Sequence, residues 1–226
     1  MGRPFGGNPL IYGGMSGLGI LKNRRVFFSF HYADIMRVNN VRMCQEFSGT
    51  ILGGGGRGIE FYDASLWEKK KLEGEEALRQ MIRQGVKNTS VVCVLAGSMT
   101  WERPWVRYEI ARSVINNKGL LVVHINGINH HARRSPDGNG PNPLWYMGIY
   151  EAGGRFYLCE REGVAGNWVQ YARHRDPVSV PRYIRAPGRG QIMELSSFAM
   201  EYDWRNAGAA NIGRWIDAAA QQAGRR

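Results

Sequence analysis

Apolar residues in this chain fall into short, nearly continuous runs, separated by stretches in which they recur at helical spacing. The first run, Val26-Phe-Phe-Ser-Phe-His31, is rich in aromatic and branched residues, as a strand buried on both faces requires. Ile35, Val38, Val41 and Cys44 then recur every third residue, predicting a helix that Gly49 and the glycines at 53–56 close. Ile59-Glu-Phe-Tyr62 predicts a second strand. A charged loop from Asp63 to Glu73 leads into a helix whose Leu78, Met81 and Ile82 share a face and which stops at Gly85. The runs Ser90–Leu95 and Leu120–Ile125 predict the third and fourth strands. Between them Pro104 suits a first helical turn, and Val106, Ile110 and Val114 form a stripe ending near Asn116-Asn117.

Buried strands alternating with single helices indicate right-handed crossovers, hence an α/β fold with a parallel sheet covered on both faces. Phe156-Tyr-Leu-Cys159 reads as a fifth strand, and Ile212, Trp215, Ile216 and Ala219 mark a closing helix. The glycine-rich segment 1–23 is expected to be a flexible arm. Residues 24–150 form the predicted domain core, and 151–226 a C-terminal part that completes or extends it. Asn126–Pro143 is polar and reads as a long surface loop. Residues 160–205, rich in Arg, Pro, Trp and Tyr, show no assignable period.

Composition narrows the class. The chain has 226 residues, 43% hydrophobic and 22% charged, values that exclude a wholly disordered or fibrous protein. No apolar run approaches the ~18 residues of a membrane span, and the N-terminal region lacks a signal-peptide core, so a cytoplasmic protein is expected. Cys44, Cys93 and Cys159 show no metal or redox spacing and read as small core residues. A net charge of +11 favours polyanions or phosphorylated small molecules without choosing among them.

Several candidate motifs fail on context. Gly53-Gly-Gly-Gly-Arg-Gly58 matches GxGxxG but follows a helix and precedes a strand, so no helix N-terminus faces a pyrophosphate. No P-loop is present. His124, His130, His131 and Asp137 match no metal spacing, and no metal site is expected. The arginines at 161, 173, 175, 182, 185 and 189, interleaved with Trp168, Tyr171 and Tyr183, read as a basic surface more readily than as a nucleic-acid face. What holds is Trp105-Val-Arg-Tyr-Glu109-Ile on the helix after the third strand, where Trp105 and Glu109 share a face beside the buried stripe. Open α/β sheets bind ligands beyond the carboxyl ends of their strands, and in the strand order 2-1-3-4-5 the crevice lies between strands one and three. Ser29-Phe-His-Tyr32 follows strand one, while Ser98 and Trp105–Glu109 follow strand three. Spacing alone favours the plainer reading, an exposed glutamate beside a packing tryptophan.

At these residues the chain resembles the TIR domains, closest to the bacterial branch that includes ThsB of Thoeris anti-phage defence. The resemblance covers about residues 24–150. It is carried by Val26-Phe-Phe-Ser-Phe-His-Tyr-Ala-Asp34, Phe61-Tyr-Asp63 with Trp67, Ser90–Ser98, Trp105-Val-Arg-Tyr-Glu-Ile110 and the turn Gly140-Pro-Asn-Pro143. It implies a flavodoxin-like three-layer fold with a roughly five-stranded parallel sheet. In the enzymatic members it implies cleavage of the nicotinamide–ribose bond of NAD, with Glu109 as the catalytic glutamate of WxxxE and a cyclic ADP-ribose isomer as product. Phe30, His31, Asp34, Trp67, Ser98 and Trp105 are then the expected substrate-binding residues. NAD is a substrate and no other cofactor is implied. The implied partners are an effector that senses the cyclic signal and a second copy of the chain, with neither membrane nor nucleic acid expected. Because many TIR domains are non-catalytic adaptors, an interaction module is the alternative.

Overall fold

A computed structural model describes residues 24–44, 73–132, 134–163 and 166–225. Its centre is a parallel sheet formed by β1 (Val26–Phe30), β2 (Val91–Ala96), β3 (Gly119–His124) and β8 (Met200–Asp203), in the order β1-β2-β3-β8. Registers Ser29↔Val94 and Val94↔Val122 align β1, β2 and β3. Every residue of β2 and β3 is buried, which explains why these strands read as continuous apolar runs.

Helices flank both faces. On one side α1 (Ile35–Arg42) and α4 (Gly208–Gln222) bury Val38, Val41, Ile212, Ile216 and Ala219 against Phe28, Leu121 and Val123. α4 approaches so closely that a side chain at Gly119 would meet the Ala219 carbonyl. On the other side α2 (Glu75–Lys87) and α3 (Pro104–Ile115) place Leu78, Ile82, Val106, Ile110 and Val114 against Phe27, Val92 and Val122. Each such buried aliphatic side chain contributes about 1.5–3 kcal/mol. Pro104 opens α3 as expected, and Asn117, with φ of 50°, follows its end in the left-handed conformation.

The structure corrects three expectations. Phe156–Cys159 is not a strand of the parallel sheet. It lies in β5 (Arg155–Arg161), which pairs antiparallel with β4 (Met147–Ala152) and β6 (Trp168–Gln170), while β4 also pairs with β7 (Ile192–Glu194). The cause is the two-residue turn Gly153-Gly154, with φ of 59° and 74°, which folds β5 straight back on β4. The edge beside β3 is taken by β8 instead. Next, α2 continues past Gly85 to Lys87, because Val86 adds a fully buried side chain to its stripe. Finally, α1 ends at Arg42, leaving Met43 and Cys44 in a turn. The arm 1–23, the glycines 49 and 53–56, the second strand 59–62 and Trp67 lie outside the described residues.

The second, antiparallel sheet packs against the α2 and α3 side through Met147, Ile149 and Leu158, joined by Tyr171, Val178, Ile184 and Leu195. Among the described residues no helix is long and apolar enough to cross a membrane.

Candidate active site

Glu109 lies on the second turn of α3, in the midst of residues that face the sheet. The carboxylate is carried inward with them and is 5% exposed. It meets β1, where the fully buried Ser29 donates its hydroxyl to Glu109 Oε2 at 2.5 Å. Among the described residues this is the hydrogen bond the carboxylate receives. Burial pushes the Glu109 carboxyl up to about 8, against a smaller downward pull from the Ser29 hydroxyl. At neutral pH the group therefore holds its proton more often than an ordinary glutamate, and a cation placed beside it would favour ionisation.

The loops after β1 and β2 converge beside this pair. The Phe30 ring is half-buried with the Arg42 guanidinium 5.3 Å from its centroid. His31 is half-buried, and its imidazole is held below its usual range by burial and by the Arg103 charge, with Asp34 opposing. It is thus a neutral hydrogen-bonding ring more than a cation. Asp34 is 6% exposed and packs on Gly97, the residue that follows β2, where any side chain would overlap the carboxylate. It is also committed to Arg37, whose Nη1 lies 2.9 Å from Asp34 Oδ1 and whose Nη2 lies 2.8 Å from Asp137. Arg37 Nε completes the set by donating to the Ile128 carbonyl at 2.9 Å. The loops after β1 and β3 are thereby bound to one guanidinium.

Ser98 sits between Gly97 and the turn at Gly140, where a side chain would run into the Ser98 carbonyl. The loop from Asn126 to Pro143 is accordingly anchored: Asn126 and Asn142 are buried, and Asn126 Nδ2 donates to the Gly138 carbonyl. Trp105 packs elsewhere. Its ring meets the Tyr108 edge, and the Arg173 guanidinium lies 4.5 Å over it. The structure thus brings Glu109 and Ser29 together on the α3 face of the sheet, and Asp34 and Gly97 together beyond the carboxyl ends of β1 and β2, with Phe30 on the opposite, α1 face and Trp105 on the flank toward the antiparallel sheet. His124 is paired with Glu201 at 2.7 Å and Asp137 with Arg37, so neither gathers with His130 and His131.

Two contributors were not singled out by sequence. Arg37 had a faint signal, a cation three residues after Asp34 on the same helix face. Arg173 had none, because nothing local relates it to Trp105.

Residues 27–130 match the family described as Thoeris protein ThsB, TIR-like domain. A curated protein of Bacillus cereus (strain MSX-D12), named "Putative cyclic ADP-D-ribose synthase ThsB1", is 37% identical over 201 residues, covering 86% of this chain and 99% of that protein. With β1 from Phe27 onward, the Gly97-Ser98 loop and α3 inside the matched region, and with a 37% identical relative covering 86% of the chain, the chain belongs to the ThsB family of TIR-like proteins.

Proposed function

We propose that this protein is a cytoplasmic, NAD-consuming TIR enzyme. It cleaves the nicotinamide–ribose bond and closes the remaining ADP-ribose into a cyclic signal that activates a partner effector in anti-phage defence. The observation that carries the reading is the buried Glu109 carboxylate, held by Ser29 at the carboxyl end of a parallel sheet. The name of the relative supports the reaction class, and the wider layering we propose is the flavodoxin-like one with a fifth strand beside β1.

The chemistry needs one acid. Nicotinamide departs as a neutral molecule from a cationic pyridinium, so no proton need be supplied to it, unlike the alkoxide of ordinary glycoside hydrolysis. The ribose left behind is oxocarbenium-like, and a preorganised carboxylate in a dry site stabilises that charge. The pyridinium itself, placed beside Glu109, favours the ionised form that the reaction uses. Phe30, His31, Asp34, Ser98, Trp105 and Trp67 are proposed to bind the rest of the dinucleotide. Cyclisation further requires the adenosine half folded over the reacting ribose with water excluded.

The test is incubation with NAD and chromatography with mass detection. Wild type is expected to release nicotinamide and to yield a cyclic product one water lighter than ADP-ribose. Glu109→Gln keeps the shape and removes the charge, and is expected to lose about 100-fold or more in rate with an unchanged circular dichroism spectrum. Activity of the variant within a few-fold of wild type would sink the assignment. Linear ADP-ribose alone would remove the signalling role and leave the cleavage.

A further inference from the structure

Ser29 is a fully buried polar residue in a strand whose preceding residues, Val26, Phe27 and Phe28, are apolar. A hydroxyl there can be satisfied by a nearby backbone carbonyl, as serines commonly are. Here it instead reaches a carboxylate 80 positions along the chain. Stability does not account for the pair. Taking a carboxyl group out of water costs more than one serine hydroxyl returns by bonding to it, and a glutamine or leucine at 109 would fill the space at lower cost. The arrangement makes sense only if the carboxylate is wanted and must be held.

We propose that Ser29 is the positioning residue for the Glu109 carboxylate: its hydroxyl fixes Oε2 and thereby turns Oε1 toward the crevice, without itself touching substrate. This rests on the reading of Glu109 as the group that meets the ribose cation. Three features support it. The hydroxyl is within direct hydrogen-bond reach of Oε2, at 2.5 Å, and a hydroxyl donating to a carboxylate bonds more strongly once that carboxylate is ionised. Ser29 sits on a strand locked in register with β2, a stiffer support than the loop residues around it. A terminal carboxyl torsion is broad and two-fold when unrestrained, so a single donor on one oxygen decides how the other is presented. The hydroxyl also favours the ionised form against the burial that opposes it.

The experiment compares wild type, Ser29→Ala, Ser29→Thr and Ser29→Cys by steady-state kinetics from pH 6 to 9. It also follows the Glu109 side-chain carbonyl by ¹³C NMR titration, with Glu109→Gln identifying the resonance. Ser29→Ala is expected to lower kcat about ten-fold or more with KM changed by less than about two-fold, the pattern of an interaction that matters in the transition state. Its acid limb and the Glu109 titration are both expected to move up by about one pH unit. Ser29→Thr is expected to restore most of the rate, and the weak thiol donor of Ser29→Cys to fall between. Circular dichroism shows whether each variant folds; if threonine does not fit the strand, cysteine supplies the ranking. An alanine variant with unchanged kcat, or one slowed equally at every pH with the Glu109 titration unmoved, would overturn the proposal. If wild type releases no nicotinamide, the reading of the reaction fails, while the titration still decides whether Ser29 governs the carboxylate.

Discussion

Glu109 combines a catalytic assignment with a cost to the fold, and pH separates the two. In the unfolded chain the group ionises near 4.5, whereas in the folded protein it holds its proton to about 8. Between those values the folded state binds more protons, so this residue's contribution to stability is present below about 4.5 and is lost as pH rises to about 8. Glu109→Gln has no such dependence. We therefore expect the variant to be more stable than wild type at pH 9 by on the order of 5 kcal/mol, at about 1.4 kcal/mol per pKa unit, with the gap closing toward pH 5. Urea melts at the two pH values measure it, and a gap that widens toward acid would contradict the burial argument. Activity runs the other way. If the ionised group stabilises the ribose cation as proposed, kcat/KM is expected to climb tenfold per pH unit below about 8 in the free enzyme. At this scale Glu109 and Asp34 were legible as residues toward the carboxyl end of the parallel sheet, because motif spacing located them. Their partners were harder to see: the Ser29 bond joins positions on different elements, and the orientation of Trp105 depends on Arg173.

Among the elements, α1 does more than cover the sheet. Arg37 projects from it with 3% of its side chain exposed and binds two carboxylates and a carbonyl drawn from the loops after β1 and β3. Removing the guanidinium leaves Asp34 and Asp137 facing each other's surroundings without that cation. Arg37→Ala is expected to cost about 3–5 kcal/mol, as loss of one partner from a buried ion pair does. Thermal unfolding should show a midpoint lowered by about 2–4 °C for each kcal/mol at this chain length. A midpoint within a degree or so would mean that the loops hold without it. Elements with continuous apolar runs or a clean helical stripe, β1, β2, β3, α2, α3 and α4, were readable because their own burial writes the pattern. Phe156–Cys159 carried the same apolar signature but was misplaced, since a run of that kind does not say which sheet it joins. Met200-Glu-Tyr-Asp203 carries the apolar–acidic alternation of a half-buried edge strand, but over only four residues inside the stretch 160–205 that shows no other period, and it was not assigned.

For the whole molecule, the antiparallel sheet inserted between β3 and β8 sets the connectivity. It packs on the α2 and α3 face and is tied to α3 by Arg107, which pairs with Glu160 at 2.9 Å. The parallel sheet must therefore wait for its last strand. Residues 200–203 and the helix at 208–222 close one edge of β3 and one face of the sheet, yet they are the last described elements in the chain. During synthesis at ~5–20 residues per second, the stretch from His124 to Met200 takes on the order of 4–15 s to appear. Throughout that interval β3 offers an unpaired edge, and Leu121, Val123 and Ile125 lack the helix that covers them. Ribosome-bound chains halted before residue 200 are expected to be cut readily by protease and to recruit holding chaperones. Those extended far enough for residue 222 to clear the exit tunnel should become resistant in a single step, so that the buried carboxylate on α3 acquires its finished scaffold some hundred residues after its own synthesis.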